Sequence, residues 1–284
     1  MIDVTPGGPR SRPFAALAHL LQPLSCLACR APLARAATPF HLCLACRGRL
    51  ARHRPGCPRC GAPYPDGRHG TEPCADCRRR APAFRCFVAP WAFAPPLDLV
   101  LHHLKFRRRG DLGERLAAPL ADWLANFAAT ALTPPADLVT AVPLHRWRRL
   151  RRGYNQAERI ARPLAARLGL PYAELLRRRR ATPPQTALDR DGRRGNVADA
   201  FAPARSAAPR SAPYGRRRGA GGDAAAATRP LAGRRVLLVD DVATTGATLD
   251  AAARTLRAAG ARAVVALAVA RTPFPSHRDG PPRC

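Results

Sequence analysis

The sequence predicts an α/β protein: a parallel sheet with helices on both faces, preceded by a small cysteine-built module. Three observations carry this. The apolar runs "ADLVTAVPL" (136–144), "RRVLLVD" (234–240) and "RAVVALAVAR" (262–271) are continuous rather than alternating, as in strands buried on both faces. Stretches of helical periodicity lie between them. Eight of the ten cysteines fall between residues 26 and 77, in four C-x-x-C pairs. A chain of 284 residues is long enough for one good core and a smaller module.

In chain order, residues 1–22 read as a short N-terminal helix. Its apolar patch from Phe14 is broken by His19 and Gln22, and Asp3 comes early, so it does not read as a signal peptide. Residues 23–82 form the cysteine module, and 83–284 the sheet domain. "FRCFVAPWAF" (84–93) has β-branched and aromatic character and starts that domain. "PLDLVLHHLKF" (96–106) and "DLGERLAAPLADWLANFAATAL" (111–132) are helical. "NQAERIARPLAARLGL" (155–170) is helical with an expected kink at Pro163. "GATLDAAARTLRAAGA" (246–261) is a helix that Gly260 ends. Residues 203–233, rich in Ala, Arg, Gly and Pro, read as a low-complexity insertion between strands. No stretch approaches 18 uninterrupted apolar residues, so no membrane insertion is expected and the chain reads as cytoplasmic.

The cysteine pairs are Cys26/Cys29, Cys43/Cys46, Cys57/Cys60 and Cys74/Cys77. A shift of 31 positions carries 26 to 57 and 43 to 74, so the module is an internal repeat. Each C-x-x-C knuckle presents two thiolates to one metal, and two knuckles complete a tetrahedral Cys₄ site. The repeat predicts two zinc ribbons, each closing its own structural Zn²⁺ site; an interleaved pairing of the knuckles is the alternative. Disulfides are disfavoured in the cytoplasm. Cys86 reads as an ordinary buried thiol and Cys284 as a terminal one.

The formal net charge is +29. Lys105 is the only lysine, so arginine carries nearly all of it, as codon bias in a GC-rich genome produces. The basic field still attracts polyanions and phosphates at low salt.

The most informative stretch is "VLLVDDVATTGATL" (236–249). An apolar strand ends in adjacent carboxylates, Asp240 and Asp241, where ligands bind in a parallel sheet. Gly246 then opens a helix whose free N–H groups and dipole make an anion site. Thr244, Thr245 and Thr248 add hydroxyls. Such a site fits a sugar 5-phosphate with free 2- and 3-hydroxyls. A P-loop needs a lysine after its glycines, and a receiver domain needs one further along; neither is present.

This stretch closely resembles the phosphoribosyl pyrophosphate (PRPP) signature of type I phosphoribosyltransferases. With "LKFRRRGD" (104–111), "VPLHRWRRLRRGYNQAERIA" (142–161), "TPPQTALDRDGRRGNVADAF" (182–201) and the cysteine repeat, the chain resembles the ComF family, related to competence protein F, over nearly its whole length. The long insertion and Tyr154, where phenylalanine is expected, depart from the family pattern. The resemblance implies a type I phosphoribosyltransferase-like sheet and Mg²⁺-dependent phosphoribosyl transfer to an acceptor. Asp240 and Asp241 would meet the ribose hydroxyls, directly or through Mg²⁺. Thr244, Thr245, Gly246, Ala247 and Thr248 would wrap the 5-phosphate. Arg149, Arg151, Arg152, Gly153, Asn155 and Gln156 would lie over the pyrophosphate, with Lys105 a further contact. Gln185, Arg194 and Asn196 would belong to a closing loop. His102, His103 and His145 are candidate proton carriers whose ordinary reading is structural. The resemblance also implies handling of incoming single-stranded DNA in natural competence, beside a helicase. A non-catalytic PRPP-binding or DNA-binding accessory module is the alternative.

Overall fold

The computed structural model describes residues 24–33, 38–53, 56–64, 71–128, 136–179, 200–204 and 231–273. The expected N-terminal helix, nearly all of the insertion, Gln185, Arg194, Asn196 and Cys284 lie outside them.

The first ribbon carries a short turn at Pro39–His41 and α1 (Leu44–Gly48); the second carries α2 (Ala75–Arg79). Both short helices start at the first cysteine of a knuckle, so each helix turn brings the second thiol back beside the first. The sheet domain follows as β1 (Cys86–Val88), β2 (Trp91–Ala92), α3 (Leu97–Phe106), α4 (Asp111–Ala128) and β3 (Leu138–Ala141). Next come α5 (Arg146–Arg152), α6 (Gln156–Arg167), β4 (Leu176–Arg178), β5 (Phe201–Pro203), β6 (Arg235–Ala243), α7 (Ala247–Ala258) and β7 (Ala263–Arg271).

The strands order as β1-β7-β6-β3, all parallel, with β2 continuing beside β7 beyond β1. β6 and β7 are central, which is why their sequences read as unbroken apolar runs. The segment 84–93 becomes two short strands with Pro90, which has no N–H to give a ladder, between them. One face of the sheet packs under α3, α4 and α6, with Leu237, Val239 and Leu267 turned to them. The other packs against α7, with Val236, Leu238 and Ala266.

Pro163 does not break α6, which runs through it from Gln156 to Arg167. A proline leaves the carbonyl four residues earlier, that of Arg159, without its helical donor. There α4 comes close: a Cβ on Gly113 would stand 2.4 Å from the Arg159 oxygen. The glycine admits the backbone contact and turns a helix defect into a helix crossing. Two further elements were not expected from the sequence. "RWRRLRR" forms α5, and β4 pairs with β5 in a separate antiparallel ribbon.

Candidate active site and metal centres

β6 runs three residues beyond Asp240, so the paired carboxylates lie inside the strand's last stretch rather than at its end. β3 pairs with β6 only as far as Val239, which uncovers that flank of β6 where the carboxylates begin. Side chains alternate along a strand, so Asp240 and Asp241 turn to opposite faces of the sheet. Lys105 Nζ, from the end of α3, lies 3.2 Å from Asp241 Oδ2. Lys105 also acts electrostatically on Asp240, more strongly than Arg178 from β4 does. The backbone helps as well: Asp241 N–H donates to Asp240 Oδ1 at 2.9 Å, and Val242 N–H to Asp241 Oδ1 at 2.7 Å. Burial, and then the neighbouring Asp241 charge, still push the Asp240 carboxyl up to about 8. Asp240 is therefore under-compensated while Asp241 is paired with Lys105, and a cation or hydroxyl donors would relieve the first.

Beyond Ala243 the chain turns through Thr244 and Thr245 to Gly246, which holds φ at 80° as the cap of α7. A Cβ there would find only Phe84 at 4.0 Å, so glycine is needed for its backbone conformation rather than for space. Thr245 Oγ1 accepts from Ala247 N–H at 3.4 Å. The first turn of any helix has N–H groups without helical acceptors, and here that turn follows the carboxylates after a single tight turn. The expected phosphate-loop residues, Thr244 to Thr248, are thus brought together with Asp240 and Asp241.

The other expected contacts divide. Lys105 reaches the carboxylates. Arg152 feels the Asp241 charge and lies over the Phe106 ring, 4.8 Å from its centroid. Asn155 is buried and donates through Nδ2 to the Val142 carbonyl at 3.0 Å, which ties the start of α6 to the end of β3. Gln156 is buried with its Nε2 lacking a protein partner among the described residues. His145 caps α5, accepting from Trp147 N–H at 3.4 Å. Burial first, then Arg178, Arg146 and Arg148, hold it below the usual histidine range. His103 is lowered by burial and by Arg109 and Arg107. Arg178 was missed from the sequence, and Tyr154 was noted there only as a departure. Arg178 sits in the arginine run 177–180, whose only signal was charge. Tyr154 explains its own departure from phenylalanine: its hydroxyl donates to the Leu104 carbonyl at 2.5 Å, fixing the residue before Lys105.

The cysteines form two groups, Cys26/Cys29/Cys43/Cys46 and Cys57/Cys60/Cys74/Cys77, with the sulfurs of each within 4.8 Å of one another. Each repeat closes its own site, and the interleaved pairing is excluded. Cys29 and Cys43 sulfurs are 3.6 Å apart, Cys60 and Cys74 sulfurs 3.7 Å. Those separations are far beyond a disulfide bond. They match the edge of a tetrahedron with zinc–sulfur arms of about 2.3 Å, which is roughly 3.8 Å. Burial opposes ionisation of Cys26, but N–H groups of Cys29, Cys43 and Ala28 outweigh it and hold the thiol at about 6. Cys57 is likewise held at about 7 by Cys60, Cys74 and Arg59 N–H groups against its burial. Both clusters fit structural zinc. Cys86 is a buried thiol that burial pushes up to about 11.

Comparison with known proteins agrees with this geometry. Residues 17–78 match the double zinc ribbon domain and residues 155–276 the phosphoribosyl transferase domain. The DNA utilization protein YhgH of Escherichia coli O157:H7 is 31% identical over 254 residues, covering 89% of this chain and 99% of its own length. That of Salmonella typhimurium is 31% identical over 255 residues, with the same coverage. Competence protein F of Haemophilus influenzae is 28% identical over 218 residues, covering 76% of this chain and 85% of its own. Among the described residues no helix is long and apolar enough to cross a membrane.

Proposed function

The chain belongs to the ComF family, and on that premise we propose that it binds PRPP with Mg²⁺ at the β6–α7 turn and transfers the phosphoribosyl group to an acceptor. The observation that carries this is the juxtaposition of two adjacent carboxylates, the under-compensated Asp240 and its neighbour Asp241, with the Gly246 turn and helix start. In this reading Thr244 to Thr248 hold the 5-phosphate and the carboxylates hold the ribose hydroxyls. Lys105 and Arg152 stand on the Asp241 side, where the pyrophosphate leaves the anomeric carbon. Mg²⁺, when bound with PRPP, neutralises the leaving group. The chain itself supplies position and charge complementarity more than proton transfer. Titration calorimetry with PRPP, with and without Mg²⁺, tests binding, and pyrophosphate release across candidate acceptors tests transfer. No heat with PRPP at millimolar concentration sinks the reading.

A second, compatible reading is single-stranded DNA binding along α5 and the end of α3. Trp147, Leu150 and Phe106 are 61%, 74% and 58% exposed, in a setting of arginines. Arg146 lies 5.4 Å from the Trp147 ring centroid. Aromatic faces stack bases and guanidinium groups meet phosphates. The relatives' names, DNA utilization protein and competence protein, favour a DNA-related role; the cytoplasm and a helicase partner are the setting this reading adds. Trp147→Ala with Phe106→Ala should weaken filter binding of single-stranded DNA about tenfold at 50 mM salt, on the order of one stacked base; unchanged binding removes α5 from the surface.

A further inference from the structure

We propose that Arg271 is a positioning residue through which the second cysteine cluster holds the phosphate loop in shape, so that filling of that cluster controls ligand binding. This rests on the PRPP reading for its ligand but not for its contacts.

Arg271 ends β7 and is only 3% exposed. A buried guanidinium is costly unless its charge is met. Its Nη1 donates to the carbonyl of Cys60, a ligand of the second cluster, and its guanidinium lies 4.8 Å from the Phe87 ring centroid. Gly61 is fitted to this contact. It holds φ at +68°, and a Cβ there would come within 2.9 Å of both Arg271 Nη1 and the Phe87 ring. His53 adds a second grip on the same knuckle, at 3.2 Å from the Gly61 carbonyl. Four thiolates around one Zn²⁺ carry a formal charge of about −2. A loaded second cluster is therefore a counter-charge for Arg271, and four neutral thiols are not.

The backbone of Arg271 faces the phosphate loop directly. Arg271 pairs with Ala243 across β6 and β7, and Thr272 N–H donates to the Ala243 carbonyl at 2.9 Å. Ala243 is the residue before Thr244. A second strap leaves the same ribbon. Ala83 N–H, six residues after Cys77, donates to Asp250 Oδ1 at 2.7 Å in the first turn of α7, and Phe84 lies against Gly246. The loop is thus held at both ends, at Ala243 and at Asp250, by contacts that begin at the second cluster.

The test uses the full chain in three forms: Arg271→Met, Arg271→Lys and Cys77→Ser. Metal analysis should find two zinc ions in the arginine variants and one in Cys77→Ser. Amide exchange of residues 243–250, without ligand, should quicken at least tenfold in Arg271→Met and Cys77→Ser. It should return towards wild type in Arg271→Lys, which keeps a donor for the carbonyl. Mg²⁺–PRPP affinity should fall in the same order. Should Arg271→Met fail to fold, Cys77→Ser carries the test alone. Unchanged exchange at 243–250 in a folded Cys77→Ser protein overturns the coupling, whatever PRPP does. Faster exchange with no PRPP binding by the wild-type chain would uphold the coupling and sink the functional reading instead.

Discussion

The two cysteine clusters are copies in sequence and opposites in setting. The first is built into the main core: Cys26, Phe40, Leu42 and Cys46 share one apolar cluster with α3, α4 and α6. Phe40 stands edge-on to Trp91 of β2 at 5.0 Å. The second has a small cluster of its own, Cys57, Tyr64 and Cys77, and meets the sheet mainly through polar contacts. The cause is legible at matched positions. Thirty-one residues beyond Phe40 and Leu42, both buried, stand Thr71 and Pro73, the first exposed and the second half-exposed. One ribbon anchors by burial, which is strong and insensitive to charge. The other is held by directional bonds to residues that also shape the ligand site. A repeated motif therefore divides into a stabilising copy and a coupling copy.

The sharpest way to break this contrast is to truncate the matched positions. Leu42→Ala should cost about 2–5 kcal/mol, as for a fully buried leucine, whereas Thr71→Ala should stay within about 0.5 kcal/mol. Urea unfolding of both variants decides, and equal losses would erase the asymmetry. Next in size is the ligand site that the second copy adjoins. Asp→Asn at both 240 and 241 should weaken Mg²⁺–PRPP binding at least tenfold, about 1.4 kcal/mol. Gly246→Val should abolish binding of the 5-phosphate, because valine resists a φ of 80°. Wild-type affinity in the double variant would make the carboxylates structural.

The same pair gives a pH signature. The Asp240 carboxyl is raised by burial and by Asp241, to about 8 against an ordinary value of 3.8. Between those values the folded chain holds a proton that the unfolded chain has released. Apo stability therefore falls as pH rises from about 4 to about 8. The binding of Mg²⁺–PRPP, which needs the ionised form, should strengthen over the upper part of that window and level off above about 8. Thermal unfolding and calorimetry between pH 5 and 9 check both slopes, and Asp240→Asn should flatten the stability slope. A smaller effect is expected within the second ribbon. Tyr64→Phe removes the hydrogen bond to the Glu72 carbonyl and should cost about 1 kcal/mol, without moving the first ribbon. Smallest of all, deleting residues 205–229 and closing the gap with a short turn should leave stability and PRPP affinity nearly unchanged. Loop closure changes by only about 0.6 kcal/mol per doubling of length. A large loss of affinity would give the insertion a place in the site.

Much of this chemistry is local in the chain, and local chemistry is what a sequence states. The spacing of four knuckles points to two tetrahedral thiolate sets, because each C-x-x-C turn can present two sulfurs to one metal. The repeat also predicts which knuckles pair. "VLLVDDVATTGATL" determines a strand, two carboxylates and a glycine-opened helix within fourteen residues, so the core of the candidate site is legible before folding. Unbroken apolar runs determine a parallel sheet for the same reason. The tertiary structure alone decided what lies across from what. Arg271 and Cys60 are 211 positions apart, and Ala83 and Asp250 are 167 apart; no periodicity or spacing relates them. Packing likewise decided that Arg159, four residues before Pro163, meets Gly113, that Arg178 acts on Asp240, and that Tyr154 bonds to the residue before Lys105. Each depends on two surfaces meeting after the chain has folded. For that reason the sequence predicts two equivalent ribbons, and the fold buries one in the main core and ties the other by polar contacts to the end of β7 and the first turn of α7.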